Sequence, residues 1–171
     1  MSLRIRLAKP GEAALVLSFV RELAEYENLS HEVVATEAMI DAALFGPNSK
    51  TFCAFAEWTG EPIGFALWFL NFSTFRGRHG IFLEDVYVRQ SHRGRGVGRA
   101  LLRHLAARCV EEGFSRLEWS VLNWNENAIA FYEARGARLM SEWTLCRLDG
   151  DALDRLAKAP EDEAEAARAE V

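Results

Sequence analysis

The stretch His92-Arg93-Gly94-Arg95-Gly96-Val97-Gly98 stands between a strand-like run, Gly80–Val88, and a helical run, Val97–Glu112. Three glycines in five positions let the main chain approach a ligand closely, because no Cβ atoms stand in the way. The amide groups of this loop and the helix N-terminus behind it would form an anion-binding concavity suited to a pyrophosphate. The sequence therefore predicts a site for a phosphorylated cofactor.

Two common nucleotide-binding motifs fit this loop poorly. A Walker loop places a lysine and a hydroxyl residue after its last glycine, and neither follows Gly98. A dinucleotide fingerprint has the spacing Gly-x-Gly-x-x-Gly and follows a first buried parallel strand. Here the loop has glycines at every second position and follows the fourth predicted strand. Both nucleotide interpretations are disfavoured.

The composition is that of an ordinary globular domain. Of the 171 residues, 50% are hydrophobic and 26% are charged, and the length allows one domain with a substantial core. No apolar run approaches the roughly 20 residues that span a bilayer. The apolar stretch Ala13–Val20 continues with helical periodicity and has no convincing cleavage site, so we expect a helix there and a cytoplasmic protein.

The net charge does not identify a partner. Most of the formal charge of −5 comes from the tail Pro160–Val171, which holds five acids and one base. The rest of the chain is nearly balanced and has no basic stripe, so nucleic acid is not an expected partner. The three cysteines and four histidines show no metal-ligand spacing, so we expect free thiols and no metal.

Hydrophobic periodicity predicts one α/β domain on a mixed sheet, in the order β-α-α-β-β-β-α-β-α-β. The predicted strands are Leu3–Leu7, Thr51–Trp58, Ile63–Phe72, Gly80–Val88, Leu117–Val121 and Ala137–Leu148. The predicted helices are Pro10–Glu27, Thr36–Leu44, Val97–Glu112, Asn127–Arg135 and Gly150–Lys158. We expect the domain to occupy residues 1–158 and an acidic, flexible tail to occupy residues 159–171.

Three motifs together resemble the GCN5-related N-acetyltransferase (GNAT) superfamily. They are Arg93-x-x-Gly96-x-Gly98, the preceding Leu83-Glu84-Asp85-Val86-Tyr87-Val88, and the downstream stretch from Trp124 to Tyr132. The resemblance covers Leu3 to Ala157 and is closest to the diamine (spermidine/spermine) and thialysine acetyltransferase group. It implies a single-domain GNAT-like fold, with a mixed, mostly antiparallel sheet flanked by helices, and acetyl-CoA as cosubstrate.

The resemblance also implies which residues bind acetyl-CoA. The pyrophosphate would lie on the glycine loop, formed by Arg93, Gly94, Arg95, Gly96, Val97 and Gly98. The pantetheine arm would pair with the backbone of Val86, Tyr87 and Val88, which also offers an amide to the developing oxyanion. Asn125 matches the asparagine that hydrogen-bonds this arm, and it also fits a helix N-cap.

Two residues carry the expected proton transfers. Tyr132 matches the tyrosine that gives a proton to the departing sulfur; the alternative is a core tyrosine on a short helix. Glu84 matches the residue proposed to deprotonate the amine, whose alkyl ammonium has a pKa near 10. The alternative for Glu84 or Asp85 is a salt bridge to a nearby arginine.

The amine pocket is implied to hold Glu27, Asp85 and Trp143, the first two as carboxylates and the last as an apolar wall. Because Glu84 and Asp85 are adjacent on a strand, they point to opposite faces unless a bulge intervenes.

Arg76 and Arg78, in the loop between two predicted strands, suggest that the substrate carries a carboxylate. The function expected is therefore acetylation of a small primary amine, either a thialysine- or lysine-like amino acid or a polyamine. Loop arginines exposed to solvent are the alternative interpretation. A peptide N-acetyltransferase and a noncatalytic acetyl-CoA-binding module also remain open, and the resemblance implies a homodimer.

Overall fold

The computed structural model describes residues 2–159, and the chain divides after Leu122 into two compact units. The predicted acidic tail lies outside the described residues from residue 160 onward. Among the described residues, no helix is both long and apolar enough to cross a membrane.

The first unit is built on a five-stranded sheet whose strands follow one another in chain order. The first four strands pair antiparallel, and the fifth pairs parallel to the fourth. The prediction of a mixed, mostly antiparallel sheet is thus confirmed. The strands are β1 (Leu3–Leu7), β2 (Thr51–Trp58), β3 (Glu61–Ser73), β4 (Arg78–Val88) and β5 (Leu117–Trp119).

Three helices flank this sheet: α1 (Ala13–Tyr26), α2 (Glu37–Phe45) and α3 (Val97–Glu111). α1 and α2 pack on one face, around Phe19, Phe55 and Phe65. α3 packs on the other face, where its buried Leu101 and Leu105 meet the opposite set of strand residues. We call these the α1 face and the α3 face.

Helix α2 begins and ends where the sequence predicts. The Thr36 hydroxyl accepts a hydrogen bond of 3.3 Å from the Met39 amide, which caps the first turn, and Gly46 follows the last turn.

Helix α1 starts later than predicted, because Pro10 lies in a turn before the helix. The Glu12 carboxylate accepts a 2.7 Å hydrogen bond from the Lys9 amide and pairs with Arg6 at 2.7 Å, which closes this turn and delays the helix to Ala13.

The second unit contains α4 (Glu126–Glu133) and α5 (Gly150–Lys158). The predicted strand Ala137–Leu148 is wrong, since none of these residues lies in a strand. Instead, the Trp143 amide donates to the Met140 carbonyl at 3.2 Å and closes a turn in the middle of the segment. Alternating apolar residues mark a segment that can pair, but a strand also requires a partner.

Replacing Phe19 by alanine tests the core under α1. The Phe19 ring is fully buried, and its centroid lies 5.4 Å from that of Phe65 and 5.9 Å from that of Phe55. We expect Phe19→Ala to lower the free energy of unfolding by about 3–5 kcal/mol in urea denaturation, through lost burial and the cavity left behind. Phe75→Ala is the control, because Phe75 is 96% exposed, and it should change stability by less than about 0.5 kcal/mol.

Candidate functional site

The predicted anion-binding loop adopts the backbone geometry that its glycines permit. Gly94 and Gly96 have φ angles of +74° and +80°, in the left-handed region that favours glycine. A Cβ atom added at either position would meet no protein atom within 4 Å. These glycines are therefore not needed for packing inside the protein, and the space beside them is open to a ligand.

The N-terminus of α3 presents its donors to the same space. Gly96 occupies the N-cap position, and no side chain caps the helix there. The first amide groups of a helix have no partner within it, and the helix dipole gives this end a partial positive charge. Loop and helix thus fit the pyrophosphate of acetyl-CoA.

The guanidinium of Arg93 is held by the protein itself. Its Nε donates to the Val88 carbonyl at 2.9 Å, and its Cζ lies 4.3 Å from the ring centroid of Tyr26 and 5.5 Å from that of Tyr87. This cation–π arrangement joins the glycine loop to the end of α1 and to β4. Arg95 lies elsewhere, with its Cζ 5.7 Å from the ring centroid of Trp58.

Beyond Leu83, strand β4 loses its neighbour on one side. Its pairing with β5 ends at Leu83 opposite Trp119, whereas its pairing with β3 continues to Val88. The Arg89 amide bonds to the Ile63 carbonyl at 3.0 Å, which fixes the phase of the ladder with β3. By alternation, Val86 and Val88 direct their backbone groups toward the side that β5 has left.

This open edge is where the sequence places the pantetheine arm. The Val86 amide and carbonyl and the Val88 amide face it, while the Val88 carbonyl accepts from Arg93. The same alternation turns the backbone of Tyr87 toward β3. Of the three residues predicted to pair with the arm, two therefore direct their backbone groups toward the open edge.

A β-bulge lies at Glu84. Leu83 is in register with Trp68, and Asp85 is in register with Leu67, so Glu84 has no register partner on β3. Two residues of β4 then occupy the span of one, and the side chains of Glu84 and Asp85 both lie on the α1 face. Because the bulge is present, the two adjacent carboxylates lie on one face instead of on opposite faces.

Three carboxylates gather on this face beside the end of α1. Burial, together with the nearby charges of Glu84 and Glu27, raises the pKa of Asp85 to about 6. Burial also raises the pKa of Glu27, the residue after the last turn of α1. Such a cluster favours a cationic ligand, because a bound ammonium would offset the mutual repulsion of the carboxylates.

The second unit holds three of the predicted site residues. The Asn125 side chain accepts a hydrogen bond from the Ala128 amide at 3.2 Å, so it caps α4 as the alternative interpretation required. Tyr132 is half-buried on α4, and its ring centroid lies 5.4 Å from that of Phe131. Trp143 is 72% exposed in the segment that follows.

Arg76 and Arg78 lie far from the carboxylates within the first unit. Arg76 is in the turn that joins β3 to β4, and Arg78 is the first residue of β4. The eight residues from Arg78 to Asp85 span roughly 20 Å of strand. A free amino acid the size of lysine is too short to contact the carboxylates and these arginines of the same protein chain at once.

Comparison with known proteins agrees with this geometry. Residues 17–137 match the sequence profile described as the Acetyltransferase (GNAT) family. The chain belongs to the GNAT family. Enzymes of this family use acetyl-CoA, so the predictions of the family, the fold class and acetyltransferase activity are confirmed.

Similar proteins include several characterised N-acetyltransferases. A bovine (Bos taurus) thialysine N-epsilon-acetyltransferase is 38% identical over 164 residues, which cover 90% of this chain and 96% of the bovine protein. An L-ornithine N5-acetyltransferase of Arabidopsis thaliana is 33% identical, with 91% and 88% covered. Among solved structures, an integron cassette protein of V. cholerae superposes with a TM-score of 0.78 at 27% identity, covering 93% of this chain and 99% of the other.

The contact of the Arg93 guanidinium with the rings of Tyr26 and Tyr87, which we call the aromatic cage, was not predicted from the sequence. No role was assigned to Tyr26, and only the backbone of Tyr87 was predicted to contribute to the site. No spacing along the chain indicates that these two rings meet one guanidinium, because α1 and β4 are more than 50 residues apart in sequence.

The glycine loop can be tested by adding one methyl group. Gly94→Ala should cost about 1–2 kcal/mol of stability, from the left-handed backbone alone. It should raise the KM for acetyl-CoA by about tenfold or more, because the methyl group enters the ligand's space. Gly77→Ala is the matched control: Gly77 also has positive φ and open surroundings, so it should cost similar stability and leave this KM unchanged. Equal KM values for acetyl-CoA in the two variants would show that the loop does not contact the cofactor.

The raised pKa of Asp85 predicts a pH-dependent cost to stability. The folded protein favours the protonated acid, so the cost is absent below the ordinary pKa of 3.8 and complete above a pH of about 6. Asp85→Asn should therefore be more stable than the wild type by about 1–3 kcal/mol at pH 7.5, and the gain should vanish near pH 3.5. Thermal or urea unfolding across this range measures it. Asp41→Asn, at an exposed position of α2, is the control, and an equal gain there would contradict burial as the cause.

Proposed function

We propose that this chain acetylates a primary amine of a small molecule, with acetyl-CoA as the donor. The observation that carries the proposal is the cluster of Glu27, Glu84 and Asp85 on the α1 face. Two of these carboxylates, Glu84 and Asp85, lie on β4, whose open edge begins at the bulge and whose end leads into the glycine loop. A site for a cation and a site for a pyrophosphate are thus built on one strand.

Acetyl-CoA supplies an activated acetyl group as a thioester. The loop from Arg93 to Gly98 binds its pyrophosphate through backbone amides and the N-terminus of α3. Val86 and Val88 hold the pantetheine arm by backbone pairing, and Asn125, in addition to capping α4, hydrogen-bonds it. One of these strand amides donates to the carbonyl oxygen as negative charge develops there.

Glu84 and Tyr132 carry the two proton transfers. The acceptor arrives as an ammonium, and Glu84 removes one proton, directly or through water, so that the nitrogen lone pair can attack the acetyl carbon. A bond between nitrogen and carbon forms as the bond between carbon and sulfur breaks, and Tyr132 gives a proton to the departing sulfur. Asp85, Glu27 and Trp143 position the amine.

The acceptor is a thialysine- or lysine-like amino acid, or a diamine or polyamine. The names of the bovine and Arabidopsis relatives support an amino acid that carries a side-chain amine. Arg76 contributes a carboxylate contact only if the acceptor spans the roughly 20 Å from the carboxylate cluster, or if another chain brings the turn to the site.

Release of coenzyme A from acetyl-CoA tests the proposal when spermidine, thialysine and a lysine-terminated peptide are supplied in parallel. We expect turnover with a small amine that exceeds the peptide by at least about tenfold in kcat/KM, because a compact carboxylate cluster suits a small cation. Preference for the peptide would favour the protein N-acetyltransferase instead.

Tyr132→Phe separates an enzyme from a binding module within the same assay. It should lower kcat by about 100-fold or more without raising the KM for acetyl-CoA, since only the proton donor is lost. Unchanged kcat would mean that Tyr132 has no part in the chemistry. A melting temperature close to that of the wild type shows that the loss is not one of folding.

A homodimer and a cytoplasmic location complete the proposal. The family resemblance supports the homodimer, and the helical periodicity of the apolar stretch Ala13–Val20 supports the location. Light scattering coupled to gel filtration measures the first, and cell fractionation measures the second.

A further inference from the structure

An aromatic pair lies beside the carboxylate cluster on the α1 face. Phe69 of β3 and Phe82 of β4 are in register, and their rings stack with centroids 5.2 Å apart and planes at 27°. Side chains alternate along β3, so Phe69 shares the face of Leu67, whose register partner is Asp85. The two rings are therefore the next neighbours of the carboxylates along the strands, on the side of Glu84.

Helices α1 and α2 do not cover this pair. The buried cluster beneath them includes Leu67 but not Phe69, which keeps 36% of its surface exposed. Phe82 is also only half-buried. An open apolar surface thus adjoins a cluster of carboxylates that favours a cation.

Polar groups limit this surface beyond Phe69 on β3 and beside Phe82 on β5. Asn71, two residues beyond Phe69, donates from Nδ2 to the Glu118 carboxylate at 2.7 Å, and Arg116 pairs with the same carboxylate at 2.7 Å. Glu118 is the register partner of Phe82 on β5. The apolar stretch between the carboxylates and this network is roughly 7–10 Å long, about the length of a six-carbon chain.

We propose that Phe69 and Phe82 form the subsite for the carbon chain of the acetyl acceptor. The inference rests on the proposed function, because it takes the ammonium to lie at Glu27, Glu84 and Asp85. The chain next to the reacting nitrogen then lies across the two rings. The acceptor class is a primary amine with an unbranched apolar stretch of up to about six carbons beside the amino group.

The subsite makes the rate depend on chain length. Each methylene that leaves water for the ring surface adds binding energy to the transition state, and full burial corresponds to about fourfold in kcat/KM. A short amine satisfies the carboxylates but leaves the rings in water. Selectivity therefore comes from Phe69 and Phe82, and affinity for any ammonium comes from the carboxylates.

The test is kcat/KM for ethylamine, butylamine and hexylamine. In the wild type we expect a rise of about two- to fourfold per methylene, ending near six carbons. Phe69→Ala and Phe82→Ala should flatten this series, with a loss of about tenfold or more for hexylamine and about twofold or less for ethylamine. Phe72→Ala is the matched control, because Phe72 is an exposed phenylalanine of β3 on the opposite face, and it should keep the slope.

Two results would overturn the subsite. One is a flat series in the wild type that nevertheless acetylates spermidine or thialysine, which leaves the proposed function intact. The other is an equal loss for all three amines in a folded Phe69→Ala protein. Phe69→Leu keeps an apolar surface and should retain most of the slope, so it serves if the alanine variant unfolds. A wild type that acetylates no amine at all would overturn the proposed function together with the subsite.

Discussion

The bulge at Glu84 is the constraint on which the site depends. If β4 ran on without it, the residue after Glu84 would turn to the α3 face, and every later side chain of the strand would change face with it. The extra residue keeps Asp85 opposite Leu67 and keeps Tyr87 toward α1, where its ring meets Arg93. The same irregularity lies where β5 stops pairing, so that two carboxylates and an open backbone edge lie on one strand.

Arginines tie the helices to this strand. Arg89, just after β4, holds the Glu22 carboxylate of α1 at 2.8 Å, and its Cζ lies 4.7 Å from the ring centroid of the buried Phe19. Arg93 holds Tyr26, the last residue of α1, and thereby sets the position of the adjacent Glu27. The end of α1 is thus fixed from two sides, and the glycine loop and the carboxylate cluster share a rigid support.

The sequence predicted that Arg76 and the carboxylates contact the same substrate, and the structure places them far apart. They were predicted to lie at one pocket because they are close in sequence, in the segment that includes the β3–β4 turn and β4. Strand geometry instead places Arg76 in the turn before β4 and the carboxylates in the second half of β4, and an aromatic surface adjoins the carboxylates. The neighbours of Glu84 and Asp85 along the strands on this face are therefore the rings of Phe69 and Phe82.

Local sequence by itself determined much of this protein. The glycine loop, the cap at Thr36 and five of the six predicted strands depend on residues close together in the chain, so their signals could be read directly. The register at Glu84, the cage around Arg93 and the turn within 137–148 depend on which distant segment lies opposite. Only the tertiary structure could decide these features, because pairing and packing energies arise between residues whose contact no local pattern encodes.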